Sequence, residues 1–599
     1  MNVKDITNTY HFNINNNATF QILNGLTANA RVGLDYKRIQ RNMYQPMDTR
    51  IGLASKGYAY SGEGDQLSYL SDLTLNYSNT IGKHRLNAVG GFSHQDWQLR
   101  NYASVTTGFA SDQLTYYAPQ SANTVQTPIG KFEKSALNSF LARIAYSYDE
   151  RFLLTLTGRT DGSSRLAAGH KWATFPSVGV GWNIHNENFM KSVSSSISNL
   201  KLRGSWGVSG NQSVPIGASQ YTYTYSKYSF NQSVTTGYNL STIGNPELGW
   251  ENTAQVNIGL ESGFLNNRFM LNVDLYQKRT TNLLFNRAIP DYTGFSYLQT
   301  NGGSIENRGV EFEAKAVAMQ KAVTWNISAN LSVNRNKVLD LGGMNDLFGP
   351  IFNASMGKNQ FWTIARVGNP IGVFYGYKVD GIYQTPAEVD AGPADPNKVQ
   401  GGWKFLDISG PDGVKDNKIT TDDMTIMGNP YPKFTYGVTN DLSFKGLSLS
   451  VFIMGSQGND ILNMYRIQTD ALTVTTNPPN TTREVYNNRW TGPGTSNKYP
   501  KPLFVNNRFY QRPNNTIVED GSFIKLKTVT LSYELPARLI KGVQKLRVYV
   551  TGTNLFVITK YTGFDPEINS YGFNSMAQGF DLGSMPQIRS YSAGVTLGF

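Results

Sequence analysis

The sequence predicts an all-β protein, an antiparallel transmembrane β-barrel with long extracellular loops and short periplasmic turns. Three observations predict it. Charged residues are only 16% of the 599 and aromatics 12%, with 58 Gly, which suits many strands and turns better than long helices. Segment after segment alternates apolar with small polar residues at period two. No apolar run approaches the roughly 18 residues that a membrane-spanning helix requires, so a bilayer crossing falls to strands.

The clearest element is the last. In Arg589 to Phe599, Tyr591, Ala593, Val595, Leu597 and Phe599 share one face, and Ser592, Gly594, Thr596 and Gly598 the other, as the closing strand of a barrel requires. From the start of the chain, Asn24 to Tyr36 sets Leu26, Ala28, Ala30, Val32, Leu34 and Tyr36 against Thr27, Asn29, Arg31, Gly33 and Asp35. Val323 to Val333 repeats the pattern, with Asn, Ser and Thr on its polar face. That face suits a hydrated lumen better than bulk solvent, where Lys and Glu would dominate. The same alternation predicts strands near 10–22, 25–39, 66–78, 84–100, 131–146, 151–159, 172–184, 198–210, 250–262, 267–284, 303–317, 322–336, 433–442, 445–458, 520–535, 542–558 and 588–599, about 17 in all.

Their connections alternate in length. Short polar turns (Asn79 to His84, Ser147 to Arg151, Leu265 to Arg268) exchange places with long loops at 40–65, 101–130, 211–249, 337–432 and 459–519, the outer-membrane pattern with its short rim periplasmic. The whole of 1–599 reads as barrel, with 337–432 and 459–519 as its two large extracellular loop regions. An odd strand count is unusual for a bacterial single-chain barrel. Met1 to Tyr10 has no apolar core of a signal peptide. The odd count leads us to expect that something is missing at the N-terminus, and the second observation that the chain is either cytosolic or does not begin at its natural start.

Composition also excludes. Cysteine is absent, which removes disulfides, thiolate metal sites and cysteine nucleophiles. Lys and Arg exceed Asp and Glu by 54 − 42 = +12, but they are scattered rather than striped, so nucleic acid is not an expected partner. The five His (His11, His84, His94, His170, His185) fit no zinc-protease spacing, and no nucleophile elbow or phosphate-binding loop occurs. Glu311 and Glu313 alternate with Val310 and Phe312 on a predicted strand, a lumen-facing pair rather than a glycosidase couple. The expectation is no enzyme and no cofactor, with calcium the one candidate ion.

An ordered set of short motifs runs from about residue 130 to the terminus. It comprises D-G-S-S-R (Asp161 to Arg165) with W-A-T-F-P-S-V (Trp172 to Val178), L-K-L-R-G-S-W-G-V-S-G-N (Leu200 to Asn211), N-P-E-L-G-W-E (Asn245 to Glu251) and N-G-G-S-I-E-N-R-G-V-E (Asn301 to Glu311). Later come P-I-G-V-F-Y-G-Y-K-V-D-G-I-Y (Pro370 to Tyr383), G-N-P-Y-P-K-F-T-Y-G (Gly428 to Gly437), E-D-G-S-F-I-K-L-K (Glu519 to Lys527) and T-N-L-F-V-I-T-K-Y-T-G-F-D-P-E (Thr553 to Glu567). In this order they resemble the SusC/RagA family of TonB-dependent outer-membrane transporters. The resemblance implies a barrel of about 22 strands around an N-terminal plug, in the cell outer membrane and in contact with its lipid. Set against it, 1–599 is expected to be an N-terminally incomplete barrel without the plug and first strands, its closing strand left with an open edge. The resemblance also implies a SusD-like lipoprotein lid, import of an oligosaccharide or peptide, and energy from the TonB complex through the plug. A structural or adhesive barrel and a passive porin are the alternatives.

Within the loops, Tyr221, Tyr223, Tyr225 and Tyr228, and Tyr375 and Tyr377 with Phe374 and Tyr383, are the candidate substrate-binding residues. Rings there can stack on sugar faces; an aromatic girdle at the lipid headgroups or a loop core fits the same residues. Asp161 to Arg165 reads as turn chemistry, with a substrate or lid contact as the alternative. Asp412, Asp416 and Asp423 fall at calcium-loop positions one, five and twelve, but Val414 stands at a ligand position and Asn417 replaces the usual Gly, so a turn-rich loop competes with a weak calcium site.

Overall fold

A computed structural model describes residues 3–353, 359–470, 473–474, 480–504, 512–536 and 542–599. Parts of the predicted loop regions 337–432 and 459–519 therefore lie outside the described residues. The described residues are 61% strand and 9% helix, and no helix among them is long and apolar enough to cross a membrane. Eighteen strands belong to the main antiparallel sheet. All the strands expected from period two are present, and the additional one is the four-residue Ala122–Val125. It pairs with the far end of the strand His84–Phe109, inside the expected loop 101–130; four residues are too few for the alternation to register. Several strands also outrun their expected ends, as Tyr58–Ile81 does 66–78 and His84–Phe109 does 84–100.

The chain divides into two compact units. The first comprises Met1–Asn186, Arg203–Val256 and Thr280–Gly302. Its ladder runs through β1 (Lys4–Leu23), β2 (Leu26–Gln45), β3 (Tyr58–Ile81), β4 (His84–Phe109), β5 (Ala122–Val125), β6 (Ile129–Tyr148), β7 (Phe152–Ser163) and β8 (Trp172–Asn183). Each long strand pairs with the next, and β6 continues the ladder from β4 beside the short β5. Tight turns close it: Asp149 and Glu150 both have positive φ between β6 and β7, as a right-twisted hairpin demands.

The register sorts side chains into rows of opposite chemistry. Ala30, Leu73, Phe92 and Phe140 lie directly opposite one another across four strands. Leu73 is 57% and Phe140 54% exposed, and the Phe92 and Phe140 rings stand 5.2 Å apart. One residue along, Arg31, Asp72, Ser93, Ser139 and Asp161 form the next row. There Ser93 donates to Asp72 at 2.5 Å, and Arg159 donates to Ser139 at 2.8 Å and to Asp161 at 2.7 Å. Large apolar side chains outward and hydrogen-bonded polar ones on the opposite face invert a soluble protein and match a strand wall between lipid and lumen.

The second unit comprises Glu187–Leu202, Asn257–Arg279 and Gly303–Phe599. Its ladder leads from Tyr297–Gln320 through Val323–Asp340, Phe434–Phe444, Leu447–Gln457, Phe523–Leu535 and Lys545–Thr559 to Ser590–Gly598. On the last strand Tyr591, Val595 and Leu597 are exposed on the expected face. Gly594 is required on the other, since a Cβ there would sit 2.5 Å from the Tyr549 ring. This strand pairs with Lys545–Thr559, and β1 pairs with β2.

Segments read as long loops fold into a packed body in this second unit. A four-stranded sheet joins Asp346–Phe348, Thr363–Arg366, Val373–Gly376 and Thr425–Gly428, and a three-stranded one joins Val518–Asp520, Asp460–Asn463 and Phe580–Asp581. Trp362, Phe374, Leu462, Met464, Ile517 and Phe580 form its main apolar core, with a second around Tyr377, Ile382, Trp403 and Phe405.

Candidate functional site

In the three-stranded sheet, Asp460–Asn463 runs parallel to Phe580–Asp581, so Leu462 faces Phe580 and Asn463 faces Asp581. Leu462 and Phe580 enter the core. One residue later, Asn463 and Asp581 line a cleft of about 200 Å³. The helix Tyr465–Thr469 that follows adds Tyr465, Arg466 and Thr469, and further walls come from Asp470, Thr482, Glu484, Lys498 and the segment Thr562, Gly563, Phe564. Tyr465 and Phe564 stand 6.1 Å apart at the opening, and both are exposed.

The charged groups are tied together behind this surface. Arg466 donates to Asp470 at 2.6 Å, to Glu519 at 3.0 Å and to the Tyr499 hydroxyl at 3.2 Å. Glu519 also accepts from Asn463 Nδ2 at 3.1 Å and from the Thr562 backbone N–H at 2.8 Å. Burial opposes the Arg466 charge, yet the adjoining Asp470 and Glu519 outweigh it and raise its pKa. Tyr499 donates to Glu484 at 2.6 Å. That bond, with Lys498 adding to it, holds the Glu484 carboxyl below the ordinary glutamate range, and burial pushes Tyr499 up. Asp581 accepts from the Tyr561 hydroxyl at 2.6 Å and from the backbone N–H groups of Gly583 and Ser584. Burial, reinforced by Asp581, raises Tyr561 strongly, so it remains a phenol donor.

The wall carrying Phe564 is pinned from below. Lys525, 2% exposed, donates to Asp565 at 3.0 Å and to Glu567 at 2.6 Å, and Lys527 reaches Glu567 at 3.0 Å. The motifs E-D-G-S-F-I-K-L-K and G-F-D-P-E thereby acquire a physical reason: Glu519 and Lys525 of one anchor Thr562, Asp565 and Glu567 of the other.

The expected site residues are not assembled into this cleft. Tyr221, Tyr223, Tyr225 and Tyr228 belong to the first unit, at the start of and along the hairpin Thr222–Phe230 with Ser233–Thr242. All four are more than half exposed, and Tyr228 donates to Asn239 at 3.2 Å. Tyr375 and Tyr377, in the second unit, are each 7% exposed. Tyr375 packs with Ile364 and Val373 under Arg366, and Tyr377 packs edge-on to Phe405 under Arg512. They are core residues, and of the readings open to them the loop core is the one observed. Asp412, Asp416 and Asp423 do not converge either. Asp412 is exposed and Asp416 caps the Lys418 N–H. Buried Asp423 accepts from the N–H groups of Ile408, Ser409 and Thr420, and no cluster of three metal-ligating side chains occurs among the described residues. Asp161, expected in a turn, lies within β7 and is ion-paired with Arg159 at 2.7 Å.

Sequence reading did not single out Asn463, Tyr465, Arg466, Asp470, Glu484 or Lys498, which lie between the quoted motifs. Their one visible signal was indirect, through Glu519 and Phe564 of the neighbouring motifs.

The strand-built fold agrees with the comparisons. Residues 2–415 match the family model described as TonB dependent receptor-like, beta-barrel. The chain belongs to that family. Among curated relatives of this TonB-dependent receptor chain, TonB-dependent receptor P3 of Formosa agariphila is 31% identical over 97% of the chain and 57% of the relative. TonB-dependent receptor SusC of Bacteroides thetaiotaomicron is 28% identical over 100% of the chain and 56% of the relative. The receptor chain thus spans little more than half the length of these relatives. A solved structure of the RagAB peptide transporter covers 100% of the receptor chain, with 62% of its own chain matched, a TM-score of 0.84 and 26% identity. The SusC/RagA resemblance read from the motifs therefore holds.

Proposed function

We propose that the chain is the barrel portion of an outer-membrane importer that takes up an oligosaccharide or peptide at the expense of energy delivered through TonB. A SusD-like lipoprotein covers its extracellular mouth, and the chain performs no catalysis of its own. The observation carrying this reading is the combination of an inverted strand wall with loops that fold into a packed, polar-clefted body. A simple pore has no use for such a body, whereas a receptor needs a preorganised surface to select its cargo before moving it. The relation to TonB-dependent receptor SusC supports dependence on TonB, and the relation to the RagAB peptide transporter supports peptide as one class of cargo.

The test is growth of a strain lacking the gene on single oligosaccharides and peptides as sole nutrients, with and without the gene restored. Loss of growth on one class, recovered on complementation, supports import. Unchanged growth together with retained surface binding would favour an adhesive barrel, and uptake that survives removal of TonB would favour a porin.

A further inference from the structure

Three neighbouring short turns of the second unit each carry a cation. Arg268 directly precedes the strand that opens at Phe269, Lys321 lies between Tyr297–Gln320 and Val323–Asp340, and Lys445 lies between Phe434–Phe444 and Leu447–Gln457. Arg268 donates to the carbonyls of Val317 and Ala318 at 2.8 Å each, just before Lys321. Val323, two residues past Lys321, lies opposite Phe444. Short turns of this kind form the periplasmic rim of an outer-membrane barrel.

The cations stand at the foot of an apolar wall. Lys445 Nζ is 5.3 Å from the centre of the Phe444 ring, and the Arg268 guanidinium is 5.5 Å from that of Phe269; both rings are exposed. Val323, Phe444, Leu447 and Tyr533 lie opposite one another across four strands, and the last three are exposed. None of the three cations has a carboxylate in ion-pair reach among the described residues, and the bonds of Arg268 go to neutral carbonyls. Elsewhere on Tyr297–Gln320 the cations are balanced: Arg308 pairs with Glu306 and Lys315 with Glu313, each at 2.6 Å. In the first unit Arg151 also stands over two rings, Tyr148 and Phe152, but Asp149 at 3.2 Å balances it there. Unbalanced positive charges about 10 Å apart, two strand spacings from foot to foot, and set against exposed rings suit an anion that has an apolar body.

We propose that this foot of the second unit binds anionic phospholipid of the inner leaflet, with Arg268, Lys321 and Lys445 receiving the phosphodiester headgroups and Phe269, Phe444 and Leu447 the adjoining acyl chains. A soluble anion gains nothing from the rings. A phospholipid sets its phosphate beside a cation and its chains along the exposed row. The assignment rests on the outer-membrane barrel reading and adds a headgroup preference to it.

The test is electron paramagnetic resonance of the full-length protein in phosphatidylcholine vesicles carrying a trace of spin-labelled phosphatidylglycerol or spin-labelled phosphatidylcholine. The fraction of each label immobilised at the protein surface gives their relative association. Phosphatidylglycerol is expected to associate roughly threefold or more strongly than phosphatidylcholine, with the preference falling in about 1 M salt. Lys321→Gln with Lys445→Gln, which leaves the Arg268 bonds in place, is expected to remove at least half of the preference, and adding Arg268→Gln to abolish it. Glu306→Gln with Arg308→Gln, a balanced pair on the same strand, is expected to leave it unchanged. Heat-modifiable gel migration checks assembly, and the double lysine variant decides the matter where the triple variant does not assemble. Equal association of the two lipids with the parent, an undiminished preference in the lysine variant, or an equal loss in the Glu306 and Arg308 variant would each overturn the surface. So would displacement of phosphatidylglycerol by glycerol 3-phosphate at constant ionic strength, the mark of a soluble-anion site. Immobilisation of both lipids without preference refutes the headgroup surface while the membrane barrel stands; immobilisation of neither refutes both.

Discussion

Replacing Lys525 by Met should loosen one wall of the cleft without dismantling the strand that carries it. The Lys525 side chain is 3% exposed and lies between Asp565, 9% exposed at 3.0 Å, and Glu567, 21% exposed at 2.6 Å. Removing the cation leaves two carboxylates facing an apolar methionine, and breaking a buried pair this way costs about 3–5 kcal/mol. Lys527 remains 3.0 Å from Glu567 and shields one of the two acids, which places the expected cost near the lower figure, about 3 kcal/mol. The strand Phe523–Leu535 keeps its ladder on both sides, so the cost falls on the docked segment 561–567. Since 1.4 kcal/mol is a factor of ten, amide exchange there should accelerate by roughly a hundredfold, while exchange in the flanking strand changes little. Hydrogen exchange read by mass spectrometry on the assembled protein measures both. Protection of 561–567 within threefold of the parent would refute the view that the ion cluster holds this wall. So would an equal loss throughout the strand.

Other outcomes follow from the same geometry. Phe140→Lys on the exposed apolar row should cost about 2–4 kcal/mol if that row meets the bilayer interior, seen as a lower assembled fraction by heat-modifiable migration; Phe140→Leu should assemble normally. Asp460 accepts from the Asn429 N–H at 2.8 Å, and burial, with Asp520 nearby, raises its pKa. A carboxyl raised on folding favours the native state at low pH and withdraws that contribution as pH rises through the raised value. Asp460→Asn should therefore retain the fold and flatten the slope of thermal stability against pH just above the ordinary carboxylate range. Glu484 has the opposite sign: held low by Tyr499, it stabilises its link above the ordinary glutamate range and loses that contribution only as pH falls through the depressed value. Tyr223→Ala with Tyr225→Ala on the exposed hairpin should leave the melting temperature unchanged. A fall in ligand affinity in that variant would assign the hairpin to binding.

The strands were legible because a wall between lipid and lumen imposes period two on every residue it contains. In 323–333 the alternation of Val, Trp, Ile and Leu with Thr, Asn and Ser is the two-faced strand itself, paired with Phe434–Phe444. The loops were not legible. Tyr375 and Tyr377 look like ligand platforms in sequence because Gly and Tyr alternate there, yet the same small-large alternation lets strands approach and bury the rings. Asp423 resembles a calcium ligand, but its three backbone donors come from residues 408, 409 and 420, a closure that spacing does not reveal. The cleft escaped for a related reason: Asn463 and Asp581 are 118 positions apart in the chain (581 − 463), and only the parallel pairing of two short strands brings them face to face.

Accumulation of radiolabelled trialanine in cells expressing the complete gene, with TonB present and with TonB deleted, tests the central claim most directly. Energised import predicts accumulation above the external concentration that collapses to equilibrium or below when TonB is removed. Accumulation that persists unchanged without TonB, or uptake that never exceeds equilibrium with TonB present, would contradict it.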